Sequence, residues 1–207
     1  MSSEPLNIFT IGHSNHEIGR FVELLRSHGV TALADVRSAP FSRFHPQFNK
    51  KALADALKTA GIAYVFLGRE LGARSTDAAV YEAGRVQYGK LAQTPLFRSG
   101  IERVEEGARK HRVALMCAEK DPLECHRTLL VGRALERDGV GVTHILADGT
   151  LETNANAMRR LLTAEPTTGG DMFDSEERLI ELAVERRARD VAYLDEKMTQ
   201  EAAETAS

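Results

Sequence analysis

The chain has no run of about 18 apolar residues, so no helix is expected to cross a bilayer. Cysteine is scarce: two among 207 residues cannot make a disulfide scaffold. The first stretch, Met1 to Asn7, is polar and lacks the apolar core of a signal peptide. No segment is of low complexity. Neither sign of charge dominates, with 27 basic and 30 acidic residues giving a net −3. Attraction to nucleic acid or to a membrane surface therefore has no global basis, and any recognition of anions must be local. These absences lead to the expectation of a cytoplasmic protein with no membrane partner. What is present is a 43% hydrophobic chain, enough for a full core in one domain with an appendage.

One local signature recurs: a helix-period stretch, a glycine, then a short apolar run. It occurs as His28-Gly29 before Val30 to Val36, as Ala60-Gly61 before Ile62 to Leu67, and as Asp138-Gly139 before Val140 to Leu146. Glycine just past a helix takes the left-handed conformation that turns the chain back. The short runs are dense in Val, Ile, Leu and Ala, as strands covered on both faces should be. Between them, Ile18, Phe21, Val22 and Leu25 form an amphipathic stripe after a capping box from Ser14 to Glu17.

Strands are predicted near 7–11, 30–36, 62–67, 112–117 and 142–146, and helices near 15–28, 48–60, 77–90, 96–110, 122–138 and 153–163. Alternation at this spacing implies an α/β fold: three layers, a mainly parallel five-stranded Rossmann-like sheet with helices on both faces. Residues 1–164 form that domain, and 165–174, with Thr167-Thr168-Gly169-Gly170-Asp171, read as a polar linker. Residues 175–207 read as a charged amphipathic helix and tail, with a seam of Ile180, Val184, Val191, Leu194 and Met198. A seam that narrow suits packing on the parent domain or on a partner, including a second copy of the chain.

The densest chemistry lies in Leu115-Met116-Cys117-Ala118-Glu119-Lys120-Asp121-Pro122-Leu123-Glu124-Cys125-His126-Arg127. It reads as an apolar strand, a loop and the start of a helix, with Asp121 as N-cap, Pro122 at the first helical position and Glu124 completing a capping box. A helix N-terminus offers free N–H groups and partial positive charge, which favour anions and thiolates. In open α/β sheets, ligands bind outside the carboxyl ends of the strands. That edge collects Gly12-His13-Ser14, Asp35-Val36-Arg37 with Pro40 to His45, Gly68-Arg69-Glu70-Leu71-Gly72, Cys117 with Glu119, and Asp148-Gly149.

Each of these residues has a plainer role open to it. Ser14 suits a helix cap better than a nucleophile, and His13 could equally bond backbone. Asp35 and Arg37 share a strand face and could simply pair with each other. At about 100° per residue, Arg127 falls in the apolar stripe of Leu123, Leu130, Val131 and Ala134 and so needs a partner. Asp35, Glu119 or an anionic ligand would serve, and a buried Arg–carboxylate brace is an equal alternative to substrate contact. Cys117 ends an apolar strand, where an inert thiol is the default. Cys125 sits at the helix start, where its pKa should fall, yet the helical wheel turns it nearly opposite the buried stripe. Two cysteines and one histidine at this spacing match no standard zinc motif, so no metal is expected, and the sequence names no cofactor.

Four separated blocks in order also resemble a family. Thr10-Ile11-Gly12-His13-Ser14, Asp35-Val36-Arg37 with Pro40 and Ser42, Leu67-Gly68 with Leu71-Gly72, and Met116-Cys117-Ala118-Glu119 with Cys125-His126-Arg127 are similar to the family named only as domain of unknown function 488. The resemblance covers about residues 7 to 162 and implies a compact prokaryotic α/β protein. It implies no established reaction, so function must come from the site.

The first expectation is an enzyme acting on a small anionic or nucleotide-like substrate in the strand-end crevice. Arg37, Arg43, Arg69, Arg74 and Arg127 would supply positive charge, with Ser14 beside them. Cys125 or Cys117 would be the nucleophile, His13 or His126 the acid–base group, and Asp35 or Glu119 the orienting carboxylate. The alternative is a nucleic-acid-associated module using the same arginines with Phe41, Phe44, His45 and Phe48, since aromatics among basic residues stack bases. A non-catalytic scaffold recruiting partners through its terminal helix is the third reading.

Overall fold

The computed structural model describes residues 6–164 and 174–205. Its first half runs β1 (Asn7–Gly12), α1 (Ile18–Ser27), β2 (Ala32–Asp35), α2 (Lys50–Thr59), β3 (Ala63–Phe66), α3 (Gly68–Leu71), β4 (Tyr81–Glu82), β5 (Arg85–Val86), α4 (Tyr88–Leu91) and α5 (Pro95–Ala108). The second half runs β6 (Val113–Cys117), a 3₁₀ turn (Pro122–Glu124), a π-helical segment (Arg127–Gly132), α6 (Arg133–Arg137), β7 (Gly141–Ile145), β8 (Leu151–Thr153), α7 (Asn154–Ala164), α8 (Glu176–Val191) and α9 (Glu196–Thr205). No helix among the described residues is long and apolar enough to cross a membrane. The linker expected over 165–174 lies, apart from Asp174, outside the described residues, as do Ala206 and Ser207 of the tail.

The main sheet has the order β3-β2-β6-β1-β7-β8. Every pairing is parallel except the last, where β8 returns antiparallel to β7. Alternation along the strands splits the core into two layers. Phe9, Ile11, Leu33, Ala114 and Met116 face Phe21, Leu24 and Leu25 of α1 and Leu53 and Leu57 of α2. Ile8, Ala34, Leu115 and Val142 face Phe97, Ile101 and Val104 of α5 and Leu130, Val131 and Ala134 beyond β6. Each fully buried side chain of this size contributes about 1.5–3 kcal/mol, so both faces are strongly held. β6 is inserted between β1 and β2, whose carboxyl ends meet it at one edge: Gly12 pairs with Cys117 and Asp35 with Met116.

The expected α/β class and parallel sheet are present, and several expected details differ. A sixth strand, β8, follows the Ala147-Asp148-Gly149-Thr150 turn, in which Gly149 has φ of +96°. The helix expected over 77–90 is a hairpin of β4 and β5 followed by the single turn α4, because Ala83 and Gly84 at its tip both take positive φ, 46° and 76°. The Ser14–Glu17 capping box does not form. β1 is prolonged beside β6 by His13 N–H to Cys117 O and Ser14 N–H to Ala118 O, both 2.9 Å, and Ser14 then turns at φ 48°, leaving Glu17 at the N-cap. The helix expected over the charged C-terminal part breaks at Ala192, whose ψ is 139°. Of its seam, Ile180, Val184 and Val191 pack on Leu123, Leu129, Met158 and Leu161 of the same chain.

Candidate functional site

The continuous helix expected over 122–138 is also interrupted, and that break builds the site. Asp121 accepts from Leu123 N–H at 2.9 Å and starts a 3₁₀ turn, but Cys125 is extended (φ −142°, ψ 140°), and the chain resumes as the π-helical segment from Arg127. Glu124 completes no capping box and accepts instead from Arg187 at 2.8 Å. A single helical wheel therefore fails here. Cys125 is not turned away from the stripe but buried with it, at 2% exposure. A close backbone approach holds the loop against the sheet: a Cβ on Gly12 would run into the carbonyl of Glu119. Only glycine lets β1 pass there.

Three reactive side chains converge at the end of β6. The thiol of Cys117 lies 3.6 Å from His126 Nδ1, and that of Cys125 lies 3.9 Å from the same nitrogen. His126 Nε2–H donates to Val36 O at 3.0 Å, which fixes the ring so that Nδ1 faces the sulfurs. Arg127 N–H approaches Cys125 Sγ at 3.4 Å, and Cys125 Sγ–H donates to Glu119 Oε2, 2.9 Å away. Burial opposes ionisation of Cys125, but the Cys117 hydrogen bond and the charges of Arg127 and His126 hold its thiol well below the ordinary value. Cys117 is pushed the other way by its bond to Cys125 and by burial. Burial and the neighbouring Cys125 raise Glu119. For His126 burial is the largest single influence and lowers it, but the charge and hydrogen bond of Cys125, the bond to Val36 and the charge of Glu119 together raise it. The two thiols thus differ in character, the surroundings favouring ionisation at Cys125 and opposing it at Cys117.

Arg127 is 1% exposed, as its place in the stripe implied, but its partners are not carboxylates. Its Nη1–H donates to Glu119 O at 2.7 Å and its Nη2–H to Lys120 O at 3.3 Å, while Nε has no partner among the described residues. The guanidinium holds the 119–120 turn in place and leaves its charge beside Cys125. Of the two carboxylates expected for it, Glu119 lies against Cys125, and Asp35 accepts from Arg37 Nε at 2.9 Å and Nη2 at 2.7 Å, and from the Tyr64 hydroxyl at 2.8 Å. Arg37 also donates to Phe48 O at 2.8 Å. Its Nη1–H points at His13 Nε2, 3.3 Å away, while His13 Nδ1–H donates to Ser14 O at 2.8 Å. Stacked on Phe48 and desolvated, His13 is lowered to about 4 and stays neutral. Asp35, Arg37 and His13 thus form a satisfied brace under the crevice floor.

Two cavities open along this edge. One of about 250 Å³ is lined by Cys117, Glu119, Cys125 and His126 together with Arg74, Tyr88 and Tyr193. The other, of about 460 Å³, is lined by His13, Ser14, Phe41, Ser42 and His45, and both share Arg37, Ala39, Ala118 and Glu119. Of the arginines expected to bind anions, Arg43 and Arg69 are exposed and line neither cavity, Arg37 is committed to Asp35, and Arg127 is sealed beneath the loop. Arg74, over the Tyr193 ring at 4.5 Å, is the arginine that faces the smaller cavity with its charge uncommitted to a carboxylate among the described residues. Tyr88 and Tyr193 were not singled out by the sequence. Tyr88 lies in a stretch read as plain helix and Tyr193 in the charged tail, and its phenol pushed up by burial and by Cys125 marks Tyr88 as part of the site.

Comparison with curated proteins and with solved structures returned no match. A family model, described as "Domain of unknown function DUF488", matches residues 17–134, more than half of the chain. That span holds the Asp35-Val36-Arg37, Leu67 to Gly72 and Met116 to Arg127 blocks and leaves Thr10 to Ser14 outside. On that match, the chain belongs to the domain of unknown function DUF488 family.

Proposed function

We propose that this protein is an enzyme that acts on a small anionic or nucleotide-like substrate, held in the crevice at the carboxyl ends of a Rossmann-like sheet. One observation carries the reading. Cys117, Glu119, Cys125 and His126, four groups able to bind, attack or move a proton, are packed together in the wall of a cavity of about 250 Å³. Burying such groups is costly, and a core would be more stable with apolar ones. Their placement at the end of β6, where open α/β sheets bind ligands, supports a reaction site. Arg74 at the cavity mouth supplies the charge for an anionic group, and Tyr88 a hydroxyl donor.

Calorimetry and thermal unfolding with nucleotides, sugar phosphates and short carboxylates test this. A ligand at a hundred times its Kd adds about 2.7 kcal/mol, a rise in Tm of roughly 5–11 °C for a chain of this size. Arg74→Ala should weaken that binding by tenfold or more. No binding by any member of the panel would overturn the reading.

A second reading, a nucleic-acid-associated module, is favoured by one feature. Phe41, which lines the larger of the two cavities, and Phe44 are 68% and 85% exposed on either side of exposed Arg43. Exposed rings beside a cation stack on unpaired bases. Tight binding of a single-stranded oligonucleotide, falling steeply with salt, would select this reading over the first.

A further inference from the structure

We propose that Cys117, Cys125 and His126 form a binding site for one zinc-class divalent cation, with a fourth coordination position open to the crevice. The inference deepens the reading of the crevice as a reaction site, and the binding itself stands or falls independently of any substrate.

Ligand atoms from the three residues all lie within 4.8 Å of one another. In a tetrahedral site with metal–sulfur and metal–nitrogen distances of about 2.3 and 2.0 Å, sulfur and nitrogen are about 3.5 Å apart. The sulfurs of Cys117 and Cys125 stand 3.6 and 3.9 Å from His126 Nδ1, so little movement is needed to seat an ion between them. The outer contacts fit as well. A metal-bound imidazole commonly donates its second N–H to a carbonyl, which fixes the ring and raises its basicity. His126 makes that bond, Nε2–H to Val36 O at 3.0 Å. A thiolate ligand is stabilised by backbone N–H donors, and Arg127 N–H points at Cys125 Sγ from 3.4 Å.

Two thiolates and a neutral imidazole with a divalent ion would be charge-balanced, which suits a buried position. Three protein ligands rather than four is the pattern of a zinc site that keeps a position for water or substrate. The cavity reaches the same side chains, and Glu119 Oε2, 2.9 Å from Cys125 Sγ, stands beside that open position. Sequence spacing hides the site, because two residues of the set are adjacent and the third lies before the intervening loop, at the end of β6. Only the extended Cys125 lets its thiol and the imidazole of His126 face Cys117 together.

The experiment uses the full chain, reduced and stripped with a chelator, then titrated with Co²⁺ and with Zn²⁺. We expect one Co²⁺ per chain, with the strong visible absorption of a tetrahedral site and a thiolate charge-transfer band, both displaced by Zn²⁺. Zn²⁺ should protect both thiols of the wild type from alkylation, and a chelator should restore reaction, a readout that needs no variant. Cys117→Ser, Cys125→Ser and His126→Gln should each weaken Co²⁺ binding at least a hundredfold, while Glu119→Gln should retain it. Absence of the charge-transfer band in the wild type, or undiminished binding by Cys125→Ser, would overturn the assignment. Anion binding by the stripped protein is measured separately, so loss of the metal site and loss of the crevice reading are told apart.

Discussion

Lowering the pH from 7 to 5 should remove a specific share of this protein's stability through His144. This residue lies in β7 with no solvent exposure. Its Nε2 is 2.9 Å from Asn154 Oδ1 and its Nδ1 is 2.8 Å from Thr10 Oγ1. Asn154 is oriented by donating Nδ2–H to Glu136 at 2.6 Å, so its oxygen faces the ring. Nε2 therefore carries the proton, and Nδ1 accepts from the Thr10 hydroxyl. A second proton would displace that bond and create a charge in the core. Burial accordingly lowers the pKa to about 4 from 6.5.

The sign follows directly. Between pH 6.5 and 4 the unfolded chain binds the proton and the folded chain does not, so stability falls as pH falls through this window and the loss is complete below the folded value. At about 1.4 kcal/mol per pH unit, His144 contributes a loss of about 2 kcal/mol at pH 5. His13, also lowered to about 4, acts in the same direction, so the test is a difference. Urea unfolding of wild type and His144→Gln at pH 7 and pH 5 provides it. The variant is less stable at pH 7 by a fixed amount, and the gap should narrow by about 2 kcal/mol at pH 5. A gap that stays constant or widens would refute the buried neutral histidine.

Two further substitutions probe the loop that carries the site. Gly12→Ala should destabilise by more than about 3 kcal/mol, because the added methyl meets the Glu119 carbonyl between two paired strands; wild-type urea midpoints would show that the approach is not close. Arg127→Met strands the acceptors of Glu119 and Lys120 at about 1–3 kcal/mol each, partly offset by relief of a buried charge, so a net loss of about 2–4 kcal/mol is expected. A near-neutral result in chemical denaturation would remove Arg127 from the architecture of the site.

The sheet was legible because its strands obey simple rules. Val30 to Val36 and Leu115 to Cys117 are apolar runs set off by turn signals, and the helix-then-glycine signature marks where α1, α2 and α6 end. Hairpin β4–β5 was not legible, since Ala83 is an uncommon residue at positive φ and the flanking stretch has helical periodicity. The site was legible as a list of residues at one edge, but not as contacts. Arg127 sits in the apolar stripe and is buried, yet its partners are carbonyls of a loop that sequence cannot place. Cys125 was misplaced because a wheel assumes one unbroken helix, and the chain is extended at that residue and π-helical just after it. Tertiary geometry, not local preference, decides such positions.

The place of β6 in the sheet also orders events in time. Phe9 of β1 pairs with Ala114 on one side and Thr143 on the other, and Leu33 of β2 also pairs with Ala114. The first two strands therefore have no bond to each other: β2 can pair with β3 soon after it is made, whereas β1 must wait for a partner made about a hundred residues later. At a synthesis rate of about 5–20 residues per second, β1 remains an unpaired apolar segment for roughly 5–20 s. Long-range parallel pairing of this kind is slow to nucleate. When β6 does emerge it joins β1 to the β2–β3 pair, and Cys117 and Glu119 arrive with it. The sheet and the reactive edge are thus completed by the same segment, and a nascent chain stalled before Val113 has neither.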